Sequence, residues 1–97
     1  MSKDLMMSHP GTILKREFLE PLGLSAYRIC KATGIDKMTL SCVLRGQRAI
    51  RPATALRLSR YFGLSDGYWL RLQSSCDERK TRLELQEELE GIQPLTA

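Results

Sequence analysis

Apolar residues recur along this chain at intervals of three and four, and proline and glycine cut the pattern into short blocks. That period is helical, and no stretch shows the two-residue alternation of a strand, so the pattern predicts an all-α fold. A first helix over about residues 11–19 puts Ile13, Leu14, Phe18 and Leu19 on one face. It should end by Pro21, whose ring removes an amide and clashes with the preceding turn. Ser25 is placed to cap a second helix with Ala26, Ile29, Cys30 and Thr33 inward, and Gly34 to end it. Asp36 is the next cap, opening a third helix that buries Leu40, Val43 and Leu44 and stops at Gly46. A fourth opens at Pro52, buries Ala55, Leu56, Leu58 and Tyr61 or Phe62, and closes at Gly63. Ser65 caps a fifth, with Trp69, Leu72 and Cys76 spaced as a core stripe.

Beyond that point the pattern thins. No apolar residue falls between Asp77 and Arg82, so the fifth helix either runs on as a solvated rod or breaks before a short last helix that Pro94 ends. Leu85, Leu89 and Ile92 are too few for a core of their own, and they must fold back on the body or meet another chain. The organisation expected is an N-terminal arm (1–9), a helical body (10–76) and an acidic C-terminal helical extension (77–97).

The stretch from Leu24 to Gly46 has the features of a helix-turn-helix. Such a unit needs a small residue where the helices cross, a glycine opening the turn, buried residues locking the pair, and exposed polar residues leading the second helix. Cys30 meets the first demand, Gly34 the second, and Ile29, Ile35, Leu40 and Val43 the third. Lys37, Met38, Thr39, Ser41 and Cys42 lead the second helix, where a helix lying in the major groove meets base edges. Base contacts are therefore expected from Lys37, Met38, Ser41 and Cys42, the first as a donor to guanine and the methionine and cysteine against thymine methyls. Phosphate contacts are expected from Ser25, Thr39, Arg45, Gln47, Arg48 and Arg51, the last four clustered just after the helix expected to enter the groove.

Charge supports this placement. The net charge of +4 is unevenly spread: residues 1–76 hold 12 basic and 5 acidic side chains, whereas residues 77–97 hold 3 and 6. A basic body suits a polyanion, and the acidic extension suits something else. The glutamates Glu84, Glu87, Glu88 and Glu90 and the arginines Arg57 and Arg60 read most simply as solvated faces. At 97 residues the chain is one domain, without room for two catalytic lobes around a cleft. Cys30, Cys42 and Cys76 show neither C-x-x-C spacing nor an even count, so free thiols are expected, with no metal and no cofactor. A catalytic arrangement would rest on His9, one mobile ring beside Pro10; no catalytic residue is assigned. No apolar run exceeds three residues, which excludes a bilayer-spanning helix, and the start lacks the pattern of a signal peptide, so a cytoplasmic location is expected.

The order and spacing of several blocks resemble the HigA-type antitoxins, members of the Xre-like helix-turn-helix regulators together with the VapI group. These blocks are His9-Pro10-Gly11, Ile13-Leu14, Phe18-Leu19 and Pro21-Leu22-Gly23-Leu24-Ser25, then Gly34-Ile35, Thr39-Leu40-Ser41, Leu44, Gly46, Arg48 and Ile50. Ala55-Leu56-Arg57-Leu58, Phe62-Gly63, Tyr68-Trp69-Leu70, Leu72-Gln73 and Asp77 complete the set. The resemblance implies a five-helix, lambda-repressor-like DNA-binding domain that forms a homodimer, binds a palindromic operator as double-stranded DNA in its own promoter, and pairs with a HigB-type mRNA-cleaving toxin. Three positions depart from the family pattern: Cys30 stands for an alanine, Arg51-Pro52 for a polar or acidic opening, and Ser75-Cys76 for a small-aromatic pair. Two alternatives stand beside this reading, a stand-alone Xre-like regulator with no toxin and a helical protein-interaction module. An enzyme lacks paired carboxylates or a phosphate-cradling loop, and RNA stacking lacks an exposed aromatic platform.

Overall fold

The computed structural model describes residues 9–95, which form six helices and no strand. Helix α1 covers residues 10–22 and is composite: α-helical ends, Pro10–Ile13 and Glu20–Leu22, flank a π-helical stretch, Leu14–Leu19. It therefore runs through Pro21, where the sequence pattern ends it. The reason lies in the wider register, in which the Glu20 N–H reaches back five residues to the Lys15 carbonyl. The enlarged turn accommodates a residue with no amide, and its ring no longer meets a tightly wound preceding turn.

Helices α2 (Ala26–Thr33), α3 (Lys37–Leu44) and α4 (Pro52–Phe62) have the expected caps at Ser25, Asp36 and Gly63. Their inner faces surround a core that includes Leu14, Ile29, Leu40, Val43, Leu58 and Trp69. Trp69 is fully enclosed, with its ring 5.1 Å from Phe18, which in turn lies 4.9 Å from Phe62. On α4 the buried stripe is Thr54, Ala55, Leu58 and Ser59, so Leu56, expected inside, is 43% exposed. Leu56 sits a third of a turn from Ala55 and two residues short of Leu58, off the face that the 54/55/58/59 spacing defines.

Helix α5 (Tyr68–Glu84) starts after a turn at Ser65–Gly67, and Ser65 does not cap it. The Ser65 hydroxyl instead accepts from the Arg71 guanidinium at 2.9 Å. Of the two courses open beyond Asp77, α5 takes the rod, without a break at residues 77–82 and with Glu78 paired to Arg82 one turn on. Leu85 ends it, and the short α6 (Gln86–Glu90) follows. Leu83, Leu85, Leu89 and Ile92 all remain exposed, so the extension does not fold back on the body. The long axis of 53 Å against cross-sections of 24 and 23 Å reflects this projection. No helix among the described residues is long and apolar enough to cross a membrane.

Candidate nucleic-acid interface

The turn between α2 and α3 is closed by two side chains, Thr33 and Arg57. Gly34 ends α2 at φ +79°, a conformation that a Cβ would strain, and a Cβ there would also come within 2.6 Å of the Arg57 guanidinium. The space is used: Arg57 donates to the Thr33 carbonyl at 2.8 Å and so caps α2 from α4. Thr33 donates to the Ile29 carbonyl at 2.6 Å and accepts from the Ile35 N–H at 3.2 Å. Arg57 is thus more than a solvated side chain. Arg60 grips Asp66 through two bonds, of 2.9 and 3.2 Å, which raise the arginine's pKa and hold the Asp66 carboxyl low.

On α3, Lys37 and Met38 stand out into solvent, Met38 at 62% exposure. Thr39, Ser41 and Cys42, expected on the same exposed face, are half-buried. The cause is local. The Asp36 carboxylate accepts from the Thr39 N–H at 3.1 Å, and Arg48 donates to the Thr39 hydroxyl at 3.0 Å. Arg45 lies against the Cys42 sulfur at 4.0 Å. Arg48 therefore reaches back from beyond the end of α3 to its first turn, and two arginines flank the helix. Gln47 and Arg51 are exposed in the same loop, whose backbone is tied at one end by the Gln47 N–H to the Cys42 carbonyl, 2.9 Å. Ser25 lies at the start of α2, where its hydroxyl accepts from the Arg28 N–H at 3.1 Å. Cys30, Cys42 and Cys76 are free thiols, and burial, with Asp36 nearby, pushes Cys30 up.

Three residues have supporting roles that the sequence reading did not assign to them. The N-terminal turn of α1 lies directly on the last turn of α3: a Cβ on Gly11 would sit 1.7 Å from the Val43 carbonyl oxygen, so only glycine allows this approach. His9, expected to be mobile, caps α1 by accepting from the Gly11 N–H at 2.9 Å, next to Gly46. Gln73, on α5, is 6% exposed and accepts from the Ile50 N–H at 2.8 Å, while its amide donates to Asp77 at 2.9 Å. Signals for two of them were present. A glycine inside the first turn of a helix costs about 0.5–1 kcal/mol relative to alanine and implies a close approach. A glutamine four residues after Trp69 falls on the core stripe, where a polar group must be satisfied.

Two short helices crossing at a tight turn, with a polar second helix flanked by arginines, define a helix-turn-helix protein of the kind that docks on double-stranded DNA. The chain belongs to the HigA-type (VapI-like) antitoxins of the Xre-like helix-turn-helix family. Residues 15–69 match the Helix-turn-helix family. Over 69 residues the chain is 45% identical to virulence-associated protein I of Dichelobacter nodosus, covering 71% of this chain and 64% of that protein's length. It is 34% identical over 85 residues to antitoxin HigA-1 of Vibrio cholerae, covering 88% of this chain and 80% of the relative. The fold superposes on PA4674 of Pseudomonas aeruginosa, solved with its operator DNA, with a TM-score of 0.87 at 34% identity over 93% of this chain and 96% of the other. Antitoxin HigA of Pseudomonas aeruginosa, solved with the higBA promoter, gives 0.85 at 32% identity over 93% and 99%.

Proposed function

We propose that this chain is the antitoxin of a toxin–antitoxin pair: a non-enzymatic, sequence-specific repressor that binds its own operator as a homodimer in the cytoplasm and neutralises a HigB-type toxin. The observation that carries the DNA reading is α3, with Lys37 and Met38 exposed and Arg45 and Arg48 on its flanks, in a fold shared with operator-bound antitoxins. Lys37, Met38, Ser41 and Cys42 face base edges in this reading. Ser25, Thr39, Arg45, Gln47, Arg48 and Arg51 hold phosphates on either side of the groove. The body spans residues 10–76, with residues 1–9 as an arm and 77–97 as the extension. The exposed stripe Leu83, Leu85, Leu89 and Ile92 supports the homodimer, because an apolar stripe along the projecting extension is stabilised by burial against a second copy. Two-fold symmetry then places the two recognition helices about 34 Å apart, one turn of DNA.

The test is a gel-shift titration against duplex DNA from upstream of the chain's own gene, with scrambled competitor at two salt concentrations. Competitor-resistant binding is expected. Binding that is weak on both duplexes and collapses with salt leaves only a general basic surface and defeats the operator reading. Co-expression with a HigB-type toxin encoded in the same operon tests the toxin reading: growth arrest relieved by this chain is expected, and arrest that persists, or an operon with no such gene, would reduce the chain to a stand-alone regulator.

A further inference from the structure

The loop between α3 and α4 carries Arg45, Gln47, Arg48 and Arg51, yet its residues are exposed except for Ile50. Its beginning is tied to α3 by backbone bonds from Arg45, Gly46 and Gln47. Its far end is tied by the bond from the Ile50 N–H to Gln73, reaching across 23 residues to α5. Behind the loop lies an open groove of about 750 Å³, bordered by Ile50 and Arg51 on one side and Ser74, Asp77, Leu85 and Leu89 on the other. The Ile50 side chain holds this end of the loop in the core, and the Gln73 bond sets where its backbone lies.

We propose that Gln73, oriented by Asp77, is a positioning residue for DNA binding, fixing the arginine-bearing loop at the height of the phosphate backbone. The proposal rests on the DNA-binding reading above. Chemistry sets the polarity of the clasp. Asp77 takes only a donor, so the Gln73 amide nitrogen faces it and the amide oxygen faces Ile50; a flipped amide would oppose donor to donor and oxygen to carboxylate.

The experiment compares the full-length chain with Gln73→Met, Gln73→Glu and the double variant Gln73→Glu/Asp77→Asn. Fluorescence anisotropy follows binding to the upstream duplex and to a scrambled duplex over a salt series, below each melting temperature. Gln73→Met keeps the length but not the acceptor. Its Kd is expected to rise about tenfold on both duplexes, and its log–log salt slope to shrink by about 0.9 for each phosphate contact given up. A variant that is merely less stable leaves the slope of its folded fraction unchanged. Gln73→Glu sets a second carboxylate against Asp77 and is expected to bind as poorly. The double variant restores the clasp with polarity exchanged, the new carboxylate accepting both from the Ile50 N–H and from the side-chain amide introduced one turn further on, and is expected to regain both affinity and slope. If Gln73→Met does not fold, the Gln73→Glu and double-variant pair carries the same comparison. A wild-type slope in Gln73→Met or Gln73→Glu, or a double variant no better than Gln73→Glu, overturns the proposal. Equal binding of the wild type to both duplexes defeats the operator reading, while the slopes on scrambled DNA still decide the role of Gln73.

Discussion

The body and the C-terminal extension are built on opposite terms. In the body, short helices of seventeen residues or fewer hold one another: His9 and Gly11 seat α1 on α3, Arg57 closes α2 from α4, and Gln73 ties α5 to the loop after α3. In the extension, every described residue from Lys80 onward is exposed, acidic side chains replace basic ones, and leucines lie open to solvent. Helices this short are marginal alone and take their stability from packing. The body therefore supplies its own partners, whereas the extension is a helix awaiting one.

Truncating one leucine in each region separates the two most directly. Leu40, fully buried on α3, should lose about 2–5 kcal/mol of unfolding free energy as Leu40→Ala, whereas Leu89→Ala should lose under about 0.5 kcal/mol when the chain is dilute enough to be monomeric. Urea denaturation measures both, and similar losses would mean that the extension is packed in solution. Next in size is Leu89→Glu, which puts a charge into the stripe. If the stripe forms the dimer, sedimentation velocity should show the dimer dissociation constant raised by about a hundredfold, with unchanged helix content. An intact dimer would move the interface to another surface, helix α1 included.

Charge reversal separates the regions at a smaller scale. Arg48→Glu should weaken operator binding by about tenfold or more, and the melting temperature should hardly move because Arg48 is exposed. Arg82→Glu, on the extension, should leave affinity within about twofold once dimer is present. Equal losses from the two would show a diffuse basic attraction in place of a phosphate surface around α3.

The body's elements were legible where they announce their ends: Ser25 and Asp36 cap, Gly34 and Gly63 stop, and the apolar spacing names Ile29, Leu40, Leu58 and Trp69 as core. It misled where a local rule met a tertiary or register effect. Pro21 reads as a helix end, but a π turn absorbs it; Ser65 reads as a cap, but Arg71 takes its hydroxyl; Leu56 reads as core, but the stripe on α4 is rotated past it. The candidate site divides the same way. Residue types and order marked α3 and its arginines, while the contacts that hold them, Gly11 on Val43, Arg48 on Thr39 and Gln73 on Ile50, join positions too far apart for spacing to reveal.

The smallest effect concerns the junction between the two regions, where His9 faces Asp77 and Lys80 of α5 and the backbone of Arg48. Burial pushes the His9 pKa below 6.5, and Lys80 adds to this, while Asp77 and the hydrogen bond with the Arg48 backbone oppose it. The capping bond requires Nδ1 without its proton, since that atom accepts from Gly11. Below pH 6.5 the unfolded chain thus binds the proton more readily than the folded one, so this contribution to stability is present above pH 6.5 and is lost as pH falls through the lowered folded value. His9→Asn keeps a capping acceptor but removes the titration. The melting temperature of the wild type should fall more steeply than that of His9→Asn as the pH is lowered from about 7.5 to about 5, measured by circular dichroism at constant ionic strength. Parallel curves would assign the acid sensitivity to carboxylates elsewhere and leave His9 as a cap whose protonation state does not matter.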